Sequence, residues 1–133
     1  MSYASYSKLG QLAAPQNQTP YPELELVKSE QHRNQIIQSF KVLVVDNYTD
    51  WCGPCKLIDP QIRELAHQFN GVIKFVKENA DDELDGAPAV TGVPCFHFYV
   101  DGKHYPNFTI TGGDVEGVKN SCTQILEQIS NHQ

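Results

Sequence analysis

The chain has 133 residues, of which 40% are hydrophobic and 20% charged, and its formal net charge at pH 7 is −6. This length favours a single domain whose core is large enough to fold without a framework of disulfides. The acidic balance argues against nucleic acid or an anionic membrane as a partner, and no apolar stretch approaches the about 18 residues that a membrane span requires.

The first 22 residues are rich in Gln, Asn, Ser, Pro and Tyr and poor in branched aliphatic side chains. This composition predicts a flexible polar extension over residues 1–22, followed by a folded domain over residues 23–133. The alternative is an arm that binds a partner or a second copy of the chain through Tyr3, Tyr6 and Tyr21. The segment lacks a charged start followed by an apolar run, so no secretory signal is expected and a reducing, cytoplasmic location is predicted.

Strands and helices then alternate along the chain. Leu24 and Leu26 alternate with acidic residues, which predicts a half-buried strand, and Ser29 can cap the helix that follows. Residues 41–48 form a near-continuous apolar run, which is typical of a central strand covered on both faces.

A helix is predicted next, over about residues 52–69, because its apolar residues recur at helical spacing. Pro60 lies inside this helix and should kink it. Residues 72–77 form a third predicted strand. The acidic residues of the loop that follows, over residues 81–92, are interpreted as solvated.

The last part of the chain predicts a hairpin and a helix. Residues 95–100 form a strand, the Asp-Gly pair at 101–102 is a two-residue turn signal, and residues 105–110 are the predicted partner strand. Pro106 marks that partner as an edge strand. With the final helix over about residues 114–130, the order of elements predicts an α/β fold with a central mixed sheet flanked by helices on both faces.

Where the buried strand turns into the long helix stand the residues Trp51, Cys52, Gly53, Pro54 and Cys55. The free N–H groups and the dipole at a helix N-terminus favour the thiolate of Cys52, and the thiolate is the nucleophile of thiol chemistry. Cys55 lies one turn further on and points back, so the two sulfurs can close a disulfide with little movement of the chain. Gly53 allows the tight bend, and Pro54 fits the first turn without adding charge.

A zinc site and a structural disulfide are the other interpretations of this cysteine pair. Zinc commonly takes two such pairs, or one pair with spaced histidines. Cys95 and Cys122 stand alone, and no H-x₃₋₅-H set is formed by the five histidines, which are His32, His67, His97, His104 and His132. The sequence therefore predicts no metal site.

In its motif, its strand–helix context and its order of elements, the chain resembles the thioredoxin family over about residues 23–132. The resemblance implies a thioredoxin-like fold and a reductase of protein disulfides, with Cys52 as nucleophile and Cys55 as resolving cysteine. It implies no bound cofactor beyond the redox-active Cys52–Cys55 disulfide, and an NADPH-dependent thioredoxin reductase as the reducing partner. A histidine in place of Pro54 would make the Cys52–Cys55 couple more oxidising. The absence of that histidine favours a reductant.

The resemblance also assigns an acid–base pair outside the motif. Asp46 resembles the buried residue that accepts the proton of the resolving cysteine, a role that suits a carboxyl group whose pKa burial has raised. Lys77 resembles the cation that lies near it and tunes it. The alternatives are an aspartate that caps a turn at a strand end and an ordinary exposed lysine.

A second set of matching positions concerns substrate binding. Val93 and Pro94 resemble the cis-proline loop of the family, where the backbone before the proline pairs with an extended substrate segment. Gly112 resembles the glycine that leaves room for that segment, and an ordinary trans turn is the alternative for Pro94. The resemblance implies a substrate-binding set of Trp51, Gly53, Pro54, Val93 and Gly112.

Some positions depart from the family pattern. Tyr48 stands where many members have Trp, and Cys95 follows Pro94 where Thr is usual. A buried apolar filler is the favoured interpretation of Cys95, with a regulatory thiol as the alternative, and Cys122 is predicted to lie in the core. Two other functions stay open, which are a disulfide oxidase or isomerase, and a binding or structural subunit that uses the fold as a docking surface.

Overall fold

The computed structural model describes residues 19–131, which form one mixed sheet with helices on both faces. The strands are β1 (Glu25–Leu26), β2 (Val42–Tyr48), β3 (Lys74–Asn79), β4 (Cys95–Val100), β5 (Lys103–His104) and β6 (Ile110–Thr111). The helices are α1 (Glu30–Ser39), α2 (Gly53–Gln68) and α3 (Val115–Asn131). The α/β class and the helices on both faces are confirmed. Of the predicted extension over residues 1–22, all but residues 19–22 lie outside the described range, as do Tyr3 and Tyr6.

Strand β2 lies at the centre of the sheet. It pairs with β3 in parallel and with β4 antiparallel, and β1 extends the sheet beyond β3 in parallel. Parallel pairing needs crossover helices, and α1 and α2 supply them. Six of the seven residues of β2 are buried, because helices cover both faces of the sheet at this strand. This is the arrangement that the apolar run predicted.

The side chains of β2 alternate between two cores. Val42 and Val44 pack toward α2 and α3, with residues such as Ile62 and Cys122, so Cys122 lies in the core as predicted. Leu43 and Val45 pack toward α1 on the other face. Because side chains alternate along a strand, Asp46 lies on the α2 face and Asn47 on the α1 face. The described helices include none long and apolar enough to cross a bilayer.

The predicted hairpin is shorter than the sequence indicates. The turn at Asp101 and Gly102 has positive φ at both residues, as a tight hairpin requires, but the partner strand β5 has only two residues. The prediction of one strand over residues 105–110 is wrong. A 3₁₀ helix (Pro106–Phe108) occupies the middle of this stretch, and the chain pairs with β4 again only through β6. The physical reason is Pro106, which has no N–H to donate to the β4 ladder.

A buried ion pair that the sequence did not predict ties α1 to β3. Arg33, 2% exposed, donates through Nε and Nη2 to the two carboxylate oxygens of Glu78 at 2.9 and 2.8 Å. Its Nη1 donates to the backbone oxygen of Asp85 at 2.7 Å. The same guanidinium therefore holds both the sheet and the start of the loop that leads to Pro94.

Candidate active site

The two cysteines of the motif lie at the N-terminus of α2, where the sequence predicts them. Cys52 is the N-cap, and its Sγ accepts a hydrogen bond of 3.1 Å from the backbone N–H of Cys55. A disulfide joins the two residues, whose Cα atoms are 5.3 Å apart. Gly53 begins the helix and Pro54 stands in its first turn, where a proline costs no hydrogen bond. A sulfur at Cys52 therefore faces N–H groups that favour its anion.

Trp51 is the exposed residue of the motif. It is 72% exposed, whereas Cys52 is 3% and Cys55 9% exposed. Its Nε1 donates to Oδ2 of Asp81 at 2.9 Å. The ring is thus fixed beside the disulfide while most of its surface stays available for contact.

The acidic residues of the loop are exposed, as predicted, and Asp81 has in addition the contact with Trp51 that the sequence does not predict. Its backbone N–H is also bonded, to the side chain of Asn79 at 2.9 Å. The parallel register pairs Tyr48 with Asn79, so the residues that follow β2 and β3 emerge at the same edge of the sheet. The register of Tyr48 with Asn79 is the signal that could have pointed to Asp81. Asp81 and Trp51 lie 30 residues apart, so no local sequence pattern connects them.

Asp46 lies buried behind the dithiol, on the face of β2 that α2 covers. Its Oδ1 has no hydrogen-bond partner within residues 19–131. The pKa of Asp46 is raised to about 7, mainly by burial and also by the charge of Asp59 on α2, while Lys77 opposes the rise. A carboxyl group in this setting can take up and release a proton near neutral pH.

Lys77 lies opposite Asp46 in the β2–β3 register, but its ammonium group is bound elsewhere. Its Nζ is 2.8 Å from Oε1 of Glu23 and lies 5.3 Å from the ring centre of Tyr48. The sequence placed the lysine near the aspartate, and the structure adds the glutamate that holds it.

Val93, Pro94 and Gly112 come together at the same edge of the sheet as the dithiol. The Val93–Pro94 peptide bond is cis, and the N–H of Gly112 donates to the backbone oxygen of Pro94 at 2.7 Å. Because β4 runs antiparallel to β2, the residues before β4 meet the end of β2 that leads to Cys52. Gly112 has a φ of 98°, which side chains rarely adopt, and open space on the side where a Cβ would point.

Cys95 belongs to a buried polar group on the α1 face that the sequence did not predict. Asn47 donates through Nδ2 to the backbone oxygen of Cys95 at 2.9 Å and lies 3.1 Å from Nδ1 of His97. The Sγ of Cys95 lies 3.6 Å from Nε2 of His97, and burial raises the pKa of the thiol. At 2% exposed, Cys95 fits the filler interpretation, and the pKa of Cys122 is likewise raised by burial, to about 12.

Metal ligands do not gather anywhere in the described part of the chain. No group of three or more His, Cys, Asp or Glu side chains within residues 19–131 could hold an ion. The chemistry that this site offers is that of its two sulfurs and the carboxyl group behind them.

We expect Asp46→Asn to stabilise the protein more at pH 8 than at pH 5. The pKa of Asp46 is about 7 in the folded state against 3.8 for the free side chain, so folding binds a proton between these values and stability falls as the pH rises through that window. The gain from Asn should be larger at pH 8 by roughly 2 kcal/mol in urea denaturation. The exposed Asp82→Asn is the control, and an equal gain at both pH values would contradict the prediction.

Comparison with known proteins places this site in a family. The sequence model of the Thioredoxin family matches residues 22–125. The M-type chloroplastic thioredoxin of Brassica napus is 37% identical over 82 residues, which cover 60% of this chain and 46% of that protein. Thioredoxin H2 of Arabidopsis thaliana is 45% identical over 74 residues, 54% of this chain and 55% of that protein.

The solved structures agree. The crystal structure of thioredoxin from Trypanosoma brucei brucei superposes with a TM-score of 0.71 at 26% identity, over 80% of this chain and 94% of that one. The matched region spans about half the length of the two plant relatives. With the family match across most of the folded part and the cysteine pair at the N-terminus of α2, the chain belongs to the thioredoxin family.

Proposed function

We propose that the protein reduces disulfides in other proteins. The observation that carries this proposal is the Cys52–Cys55 disulfide at the N-terminus of α2, at the sheet edge where Val93 and Gly112 also lie. A helix N-terminus favours the thiolate, and exposed Trp51 with the backbone of Val93 offers a surface for an extended segment. Membership in the thioredoxin family supports the same activity.

The reaction is two thiol–disulfide exchanges. The Cys52 thiolate attacks one sulfur of the substrate disulfide, forms a mixed disulfide and releases the other substrate sulfur as a thiolate. The Cys55 thiolate then attacks the Sγ of Cys52 and releases the second substrate sulfur. Two electrons pass from the dithiol to the substrate, and the protein is left with the Cys52–Cys55 disulfide.

Asp46 is proposed to accept the proton of Cys55 before the second exchange. Its carboxyl group is buried on the α2 face, Oδ1 has no partner among the described residues, and its pKa of about 7 lets it act as a base near neutral pH. Lys77 opposes the raised pKa and so adjusts the strength of this base. Gly53, Pro54 and Gly112 would line the path of the substrate backbone.

The oxidised protein needs a supply of two electrons for the next cycle. We propose that an NADPH-dependent thioredoxin reductase supplies them, as the family resemblance implies, and that NADPH binds to that enzyme. A reducing compartment such as the cytoplasm is proposed for the same reason, and the unpaired thiols of Cys95 and Cys122 are compatible with it. Acid-quenched thiol labelling of the protein from cells tests this, since a mainly oxidised dithiol would contradict a reducing location.

Reduction of insulin by dithiothreitol tests the activity directly. We expect the wild-type protein to shorten the lag before insulin precipitates and to raise the rate at least about tenfold over dithiothreitol alone. The matched control is the same protein reduced and then alkylated with iodoacetamide, which blocks the dithiol. If wild-type and alkylated protein give the same rate, the proposed activity is wrong.

A further inference from the structure

The carboxyl group of Asp46 lies on the same face of the sheet as two cations, yet neither is paired with it. Lys77 stands directly opposite Asp46 in the β2–β3 register, so both side chains leave the sheet on the α2 side. Arg63 lies on α2 above that face. Buried carboxylates are ordinarily paired when a cation is within reach. The charge of Lys77 does act on Asp46, so the position of its ammonium group needs an explanation.

Glu23 holds the first cation. Its Oε1 lies 2.8 Å from Nζ of Lys77, which hydrogen-bonds it and holds the pKa of Glu23 below its usual value. The ammonium also lies over the ring of Tyr48. Lys77 therefore has a partner at the sheet edge, away from Oδ1 of Asp46.

Asp59 holds the second cation. It stands one turn before Arg63 on α2, and its Oδ2 lies 2.7 Å from Nη2 of Arg63. The same Nη2 lies 3.9 Å from Oε1 of Glu23. The charges alternate along this line, from Asp59 to Arg63 to Glu23 to Lys77, and Asp46 is left outside it.

We propose that Glu23 and Asp59 are positioning residues for proton transfer at Asp46. Glu23 engages Lys77 in an ion pair and Asp59 adds a like charge on α2, so the buried carboxyl group of Asp46 keeps no cationic partner among the described residues and stays able to bind a proton. This inference rests on the proposed reductase function, in which Asp46 accepts the proton of Cys55. Neither residue belongs to the active-site motif or touches the disulfide.

Charged groups on two neighbouring elements act on Asp46 in opposite directions. Asp59 from α2 raises the pKa of Asp46 by like charge, and Lys77 from β3 is the opposing charge. The charge of Asp46 also raises the pKa values of Tyr48 on β2 and Cys95 on β4, in each case after the larger effect of burial. Release of Lys77 from Glu23, or loss of the like charge of Asp59, is thus the change that would stabilise the carboxylate.

The test is an NMR titration of Asp46 in the oxidised protein labelled at aspartate carboxyl groups, with the signal assigned by its loss in Asp46→Asn. We expect Glu23→Gln and Asp59→Asn each to lower the pKa of Asp46, from about 7 in the wild type, by about one unit. The effect of Glu23→Gln should vanish in a Lys77→Met background, because that variant has no ammonium to release.

Two matched controls separate positioning from a general loss of negative charge. Glu25→Gln removes an acid from β1, two residues after Glu23, where its carboxylate contacts Lys74 at 3.2 Å and His32 at 3.1 Å. Glu64→Gln removes an exposed acid from α2. Both should leave the pKa of Asp46 within about 0.2 units of the wild-type value. Equal shifts in the controls, or an unchanged or higher pKa in Glu23→Gln and Asp59→Asn, would overturn the proposal.

The NMR titration does not require turnover. Its result therefore tests the positioning role independently of the insulin assay, which tests the proposed function. If wild-type protein reduces insulin and neither variant lowers the pKa of Asp46, the positioning role is wrong and the reductase function stands. If the variants lower this pKa and wild-type protein does not reduce insulin, the electrostatic coupling stands and its catalytic meaning is overturned.

Discussion

Replacing Cys52 by serine is expected to lower the insulin-reduction rate by at least about tenfold, to the rate of dithiothreitol alone. The N–H groups at the start of α2 favour a thiolate, but a serine hydroxyl stays protonated near pH 7 and cannot form the mixed disulfide. The measurement is the insulin assay at pH 7 with equal concentrations of the two proteins. Cys52→Ser should also give no covalent complex with a substrate disulfide on non-reducing gels.

The control for the loss of a thiol is Cys122→Ala. Cys122 is fully buried between α3 and the sheet and lies outside the site, so this variant should keep wild-type activity once it is folded. Circular dichroism checks that both variants fold. Activity in Cys52→Ser equal to that of the wild type would leave the dithiol without a role and favour a docking function for the fold.

Replacing Arg33 by methionine is expected to lower the free energy of unfolding by about 3–5 kcal/mol. Arg33 is 2% exposed and makes both side-chain hydrogen bonds of the ion pair with Glu78. Its loss leaves the Glu78 carboxylate buried without a partner and frees the backbone oxygen of Asp85. Urea denaturation at pH 7 measures the change.

The control is a pair of a cation and a carboxylate at the surface. Lys41 lies 3.5 Å from Asp101, with both side chains more than half exposed, so Lys41→Met should cost less than about 1 kcal/mol. Replacing Arg33 and Glu78 together by methionine should recover most of the loss, because no unpaired charge remains. A loss in Arg33→Met no larger than in Lys41→Met would contradict the prediction.

Local signals in the sequence were enough for most of the fold. The apolar run of β2 predicts a strand buried on both faces, and the structure confirms it. Ser29 caps α1 by accepting a hydrogen bond from the N–H of His32. A serine just before a helix favours this contact because the N–H groups of the first turn otherwise lack a partner. Helix α2 with Pro60 inside it follows from spacing and motif alone. Each of these features depends on residues within a few positions of one another.

The hairpin shows where local reasoning reaches its limit. The Asp101-Gly102 turn is confirmed, because its backbone preference is a property of those two residues. The length of the partner strand is not, because it depends on which N–H groups reach β4. The sequence predicts that Pro106 marks an edge strand, whereas in the structure the pairing with β4 stops there and resumes at Ile110.

The sequence by itself determined the class of fold, the cysteine pair at the start of a helix and the family to which both belong. Only the tertiary structure decided which side chains that are remote in the sequence meet one another. The partners of Lys77, Trp51 and Arg33 lie 54, 30 and 45 residues away along the chain. No periodicity or turn signal encodes such distances. They arise when strand register and helix packing bring remote side chains together, and burial then decides how strongly they interact.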